Sequence, residues 1–200
     1  MERTDSSNPI KIKCSPVGRP AIRKLTPAEK KLLFGGCSVI MISPMNRDLE
    51  ETDMNIYEAQ TRSPVLLQSL LMVWEKSVRA THLFLSDAEI KRIKEYVPQA
   101  LRGVSRLIVA EKEQAPIAFM GVEHGRLEML FLSPSERGKG LGKRLLQLGI
   151  QNYDVIELTV NEQNPQAVGF YEHLGFEAYK RTDHDEEGNP YPLLFMRLRN

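Results

Sequence analysis

Cysteine is nearly absent from this 200-residue chain: Cys14 and Cys37 are the only two, and both precede Met54. From Met54 onward there is therefore no thiol nucleophile, thiolate metal site or internal disulfide. Neither sign of charge is in excess. The net charge is +1, and no lopsided half is hidden in it: nine basic and seven acidic residues precede Met54, against 18 and 19 from there on. This balance argues against nucleic acid or an anionic membrane as the main partner. Long apolar runs are missing too. Leu32 to Ile42 is too short to span a bilayer and starts too far in for an ordinary signal peptide. The adjoining Phe34-Gly35-Gly36-Cys37 has the small-residue pattern of a lipoprotein cleavage site, but the apolar run follows the cysteine instead of preceding it. A cytoplasmic location is expected. With 42% hydrophobic and 26% charged residues, the chain can bury one ordinary core, with room for an appendage.

Residues 1–53 differ from the rest. Ser6-Ser7-Asn8-Pro9, Ser15-Pro16 and Arg19-Pro20 interrupt a stretch with little periodicity, the composition of a loose arm. Lys24 to Phe34 reads as a short helix with Thr26 as cap and Pro27 at its first position. Two readings stay open for this segment. Translation can begin at Met54, with the purine-rich codons of Glu50-Glu51 acting as a ribosome-binding site, or the segment is a true extension such as a dimer arm.

The most informative feature is Arg137-Gly138-Lys139-Gly140-Leu141-Gly142, which lies between a strand-like run ending at Leu132 and a helix-like run from Lys143. A glycine-rich turn opening a helix presents backbone N–H groups without intrahelical partners, and the helix dipole adds partial positive charge. That suits phosphate, and Arg137, Lys139 and Lys143 add full charges. A P-loop is excluded because Gly140 follows Gly138-Lys139 where a Ser or Thr is required. The dinucleotide fingerprint fails because Lys143 stands where its third glycine belongs. The pattern Arg-x-x-Gly-x-Gly is met in full by Arg137, Gly140 and Gly142.

At these residues the chain resembles the GNAT superfamily of N-acetyltransferases, in which such a turn holds the pyrophosphate of acetyl-CoA. A second motif strengthens the resemblance. The strand-like Val155 to Val160 is followed by Asn164-Pro165-Gln166-Ala167 and then Phe170-Tyr171-Glu172-His173-Leu174-Gly175-Phe176, similar to the family's Asn-x-x-Ala and Phe-Tyr-x-x-Leu-Gly-Phe. The resemblance covers residues 54 to 200.

The element order read from the sequence is βααβββαβαββ. A first strand starts at Asn55, a helix runs Pro64 to Ser77, and a capping box at Ser86-Asp87-Ala88-Glu89 opens a second helix that Gly103 closes. Strands follow at Arg106–Glu111, Ile117–Val122 and Leu127–Leu132. Then come a helix over 137–151, a strand over 155–160, a helix over 165–174, and strands near 176–181 and 193–199. This order matches the GNAT fold, an α/β architecture with a mixed central sheet and helices on both faces. The resemblance implies that the strands ending at Leu132 and Val160 splay apart. The amide-bearing pantetheine arm then satisfies the main chain of Leu130, Phe131 and Leu132, which splaying leaves unpaired.

Acetyl transfer needs a neutral amine, a donor for the developing oxyanion and a proton for the departing thiolate. The resemblance makes Tyr171 the general acid and Asn164 a cofactor contact, the latter doubling as a helix cap before Pro165. Residues 137–143, including Gly138, Leu141 and Gly142, form the pyrophosphate site. For the base, Glu128 is the nearest carboxylate on the strand before the turn, and alternation puts it on the face of Leu130 and Leu132. Some relatives carry a Glu twelve residues before the Tyr; here that position is Thr159, which cannot ionise. The acceptor pocket is expected around the first two helices, with Trp74, Arg79 and His82 as substrate contacts. The acidic run Asp183-His184-Asp185-Glu186-Glu187 would attract a cationic amine and lacks the convergence of a metal site. The expectation is an acetyl-CoA-dependent N-acetyltransferase without a metal, monomeric or homodimeric, acting on the amine of a small molecule or peptide. The alternative is a non-catalytic acyl-CoA-binding sensor or interaction module.

Overall fold

The computed structural model describes residues 54–199; the helix expected over Lys24–Phe34 and both readings of residues 1–53 lie outside them. Seven strands form one sheet in the order β1-β2-β3-β4-β5-β7-β6. They are β1 (Met54–Glu58), β2 (Arg106–Lys112), β3 (Ala115–Glu123), β4 (Arg126–Leu132), β5 (Glu157–Asn161), β6 (Phe176–Thr182) and β7 (Leu193–Leu198). Every neighbouring pair is antiparallel except β4 and β5.

Two helices cover each face. Helix α1 (Pro64–Thr81) starts at Ser63, whose side chain accepts from Leu66 N, with Pro64 at the first position where its missing N–H costs nothing. It runs four residues beyond the expected Ser77, because Val78-Arg79-Ala80-Thr81 contains no breaker, and it stops at His82. Helix α2 (Asp87–Gly103) opens on the expected capping box between Ser86 and Glu89 and continues through Pro98. Leu70, Leu101, Leu107, Val109 and Phe119 pack with these helices on one face. On the other face α3 (Leu141–Tyr153) and α4 (Pro165–His173) pack with Ile108, Met120, Leu158, Phe176 and Met196. Leu145 and Leu146 of α3 are fully buried, each worth about 1.5–3 kcal/mol over exposure.

The β4–β5 junction positions the site. These parallel strands pair only at Arg126↔Glu157 and Leu127↔Leu158 and then separate. The separation coincides with a bulge between β3 and β4: Val122 pairs with Leu127 but Gly121 pairs with Met129, so Glu128 is the extra residue. A bulge bends its strand and breaks the two-residue alternation. Leu127, Leu130 and Leu132 accordingly pack on the α3/α4 face, and Met129 and Phe131 on the other. The alternation that would put Glu128 with Leu130 and Leu132 therefore does not carry across this point. A second correction concerns the helix expected from residue 137. Gly138 and Gly140 have φ of +74° and +85°, incompatible with a right-handed helix, so α3 begins at Leu141 after a 3-10 turn at Pro134–Glu136.

Candidate active site

The turn before α3 is built by its backbone. Glu136 N donates to Ser133 O (2.9 Å) and Arg137 N to Pro134 O (3.3 Å), and Gly140 caps the helix, its carbonyl accepting from Arg144 N at 3.0 Å. The amides of Leu141, Gly142 and Lys143 occupy the first turn, where no intrahelical acceptor exists. A Cβ placed on Gly138 or Gly140 would meet nothing within 4 Å. The glycines are thus required by conformation, and the space beside them is open. A Cβ on Gly142 would touch the Phe170 ring at 3.4 Å and Leu132 at 3.6 Å, so this helix start lies against both α4 and the parted end of β4.

The charged residues of the turn are differently engaged. Arg137 donates to the neutral Gln166 Oε1 on α4 at 2.6 Å and keeps its full charge. Lys139 lies 3.3 Å from Glu136, a largely buried carboxylate that the sequence reading missed. Lys143 has no ionic partner among the described residues. A cavity of about 390 Å³, lined by Lys112, Glu136, Lys139, Gly140 and Arg144 among others, flanks the turn. Leu141 is buried, leaving only its main chain for a ligand. Open glycine backbone, free amides and net positive charge fit a diphosphate.

Tyr171 and Asn164 frame the gap from α4. Tyr171 is buried, with Phe170 at 5.2 Å and Phe176 at 6.1 Å, both edge-on. Burial holds its phenol well above the usual tyrosine range, so it stays protonated at neutral pH. No described residue hydrogen-bonds its hydroxyl, yet no fully enclosed polar side-chain atom among the described residues lacks a partner. The hydroxyl therefore reaches open space. Asn164 is buried, and its Oδ1 accepts from Ala167 N at 3.2 Å as the α4 cap. Its amide NH₂ remains available to a ligand.

Glu128 sits where the strands part. Its carboxylate lies 3.1 Å from Arg126 Nε, and Arg126 also donates to Thr159 Oγ1. The two positions at which the resemblance places a base, Glu128 and Thr159, are thus joined through Arg126, a residue that no motif singles out. Glu128 is exposed along β4, yet partial desolvation by the surrounding protein pushes its carboxyl up, against the opposing influence of Arg126 and with the added repulsion of Glu186 and Glu123.

The three expected substrate contacts separate. Trp74 is a core residue, 5% exposed among Leu70, Val78 and Leu101, and cannot line a pocket; its place in the apolar stripe of α1 already signalled this. Arg79 is committed to Glu75 at 3.0 Å and Asp87 at 2.5 Å, joining α1 to the start of α2. His82 alone faces the expected region. Its ring lies 5.5 Å from Phe84 and 6.5 Å from Phe131 of β4. Tyr191, from the β6–β7 loop, reaches 5.5 Å from Phe84 and donates to Glu89 on α2. The sequence offered no signal for that tie beyond an aromatic residue after Asn189-Pro190.

The acetyltransferase (GNAT) domain profile matches residues 76–198. Peptidyl-lysine N-acetyltransferase YjaB of Salmonella typhimurium is 37% identical over 127 residues, 64% of this chain and 88% of that protein. The solution structure of apo-form YjaB from Escherichia coli superposes with a TM-score of 0.65 at 34% identity, covering 72% of this chain and 96% of that one. The structure of yncA, a putative acetyltransferase from Salmonella typhimurium with its cofactor acetyl-CoA, has a TM-score of 0.52 at 17% identity over 74% of this chain and 94% of that one, a likeness of fold.

Proposed function

The chain belongs to the GNAT acetyltransferases; on that premise we propose that it is an acetyl-CoA-dependent N-acetyltransferase whose acceptor is the ε-amine of a lysine in a peptide or protein, acetylated in the cytoplasm. The similarity to YjaB, a peptidyl-lysine N-acetyltransferase, supports this acceptor class. Within the molecule the carrying observation is the partnerless hydroxyl of Tyr171 beside strands that separate after two residue pairs. That arrangement supports chemistry at a bound thioester over a sensor that only binds.

Acetyl-CoA supplies the activated acyl group. The turn at 137–143 would bind its diphosphate, with Arg137, Lys143 and the α3 amides as donors. The main chain of Leu130, Phe131 and Leu132, together with Asn164, would hold the arm. Lysine arrives as an ammonium, ordinarily titrating near 10.4, and must lose a proton before its nitrogen can bond to the acyl carbon. Glu128 accepts that proton, directly or through a water. Its raised pKa makes it a better base near neutrality than an ordinary carboxylate. As the carbon–sulfur bond breaks, Tyr171 donates to the leaving sulfur. Positioning alone contributes on the order of 7–11 kcal/mol.

The test is thiol release from acetyl-CoA with three acceptors: an Nα-blocked lysine peptide, a lysine-free peptide with a free amino terminus, and a panel of small amines. Turnover with the first and little with the others is expected. Efficient acetylation of the terminal amine alone would reject the lysine reading.

A further inference from the structure

One nitrogen of His82 is accounted for and the other is spare. Thr81 Oγ1 donates to Ser77 O at 2.9 Å, and a hydroxyl has a single hydrogen to give. The 2.7 Å contact between Thr81 Oγ1 and His82 Nδ1 is then made by a hydrogen on Nδ1. So assigned, the ring carries its hydrogen on Nδ1 and a lone pair on Nε2. Among the described residues no group pairs with Nε2. Burial holds the ring below the ordinary histidine pKa, so at neutral pH it is an acceptor and carries no charge. The helix end does not depend on the ring, since the His82 backbone N–H makes the cap to Val78 O.

The neighbouring aromatic rings locate this acceptor. Phe131 belongs to the stretch of β4 that has left β5, and its side chain is on the α1/α2 face. Tyr171 belongs to the packing on the α3/α4 face. The parted strands are therefore flanked on one side by a phenol with no partner and on the other by an imidazole nitrogen with none. Leaving group and nucleophile can be served from opposite faces of one sheet.

We propose that His82 receives the acceptor: Nε2 takes a hydrogen bond from the amine N–H, while Phe84, Phe131 and Tyr191 line the path of an apolar stem such as the four-carbon chain of lysine. The identity of the stem rests on the lysine reading; the role of Nε2 does not.

Two experiments test it. In steady-state kinetics, His82→Phe keeps an aromatic ring against Phe84 and Phe131 but removes the acceptor, and should raise KM for the lysine peptide about tenfold with KM for acetyl-CoA unchanged. His82→Gln, which restores an oxygen near the Nε2 position, should recover part of that loss. A His82→Phe protein with wild-type KM for its acceptor would overturn the proposal. Nitrogen-15 NMR of the wild-type protein is independent of folding in the variants. It should show Nε2 unprotonated and shifting when acceptor is added, and a protonated Nε2 in the free protein would also overturn the proposal. Should the wild-type protein acetylate a small amine but no lysine peptide, the lysine reading falls and the same His82 comparison, run with that amine, still decides this one.

Discussion

Removing a single oxygen isolates the chemistry of Tyr171, because Tyr171→Phe retains the edge contacts with Phe170 and Phe176 and strands no protein partner. We expect kcat to fall on the order of 10²-fold with acetyl-CoA affinity nearly unchanged. Equal turnover in the two proteins, measured by thiol release, would remove Tyr171 as the acid. The placement of Tyr171 and Asn164 on one short helix is legible because each sits at a fixed offset within a local motif, and a helix keeps such offsets rigid. Glu128 was legible only as a residue. Its engagement with Arg126 and through it with Thr159 joins two strands 33 residues apart in sequence, and nothing local encodes that pairing. Trp74 is the opposite case: an aromatic residue near a suspected pocket invites a chemical reading, while its helical spacing with Leu70, Leu71 and Val78 places it inside.

Helices were read most closely where capping chemistry marks their ends. Ser86 and Glu89 form both halves of the expected box, and Pro64 and Pro165 each begin a helix. The start of α3 was placed too early because apolar spacing says nothing about the sign of φ. The residues that set the boundary are Gly138 and Gly140. Substituting Gly140 by Val forces a β-branched side chain into a left-handed conformation, at a cost of roughly 1–3 kcal/mol, and puts a side chain into the open space beside the α3 amides. Calorimetric titration with acetyl-CoA should show affinity reduced at least about tenfold, with the fold retained by circular dichroism; unaltered affinity would move the diphosphate away from this turn. The bulge at Glu128 left a fainter trace. Gly121 interrupts an otherwise apolar strand, a common accompaniment of a bulge, but the sequence does not say on which strand the extra residue falls.

Across the whole molecule, the loop between β6 and β7 is tied to α2 by one hydrogen bond, from Tyr191 to Glu89. The same carboxylate closes the cap on Ser86, and these hydrogen bonds, those of Ser86 foremost, push its pKa down from 4.5 to about 2. A carboxyl whose pKa is lower when folded contributes stability above its unfolded value and loses it as pH falls through the folded one. Glu89→Gln should therefore melt at a lower temperature than the wild type near pH 7, and the difference should close between about pH 4.5 and about 2. A difference that stays constant across that window would show that the charge of Glu89 is not what holds this corner. Sequence reading could supply the helix and the loop separately, but not the tie between them, which exists only once the sheet has brought residues 102 positions apart together.

The brevity of the β4–β5 seam has a further consequence. Four strands on one side and three on the other share two rungs, and beyond those rungs the parted edges ask for an eighth ribbon that the described residues do not provide. A thioester carrier furnished with its own amides can complete the weave, whereas a bare alkyl thioester bearing the same acetyl group cannot. On the proposed reading, discrimination among acyl donors becomes a matter of tailoring: the handle, more than the two-carbon cargo, would decide what is admitted.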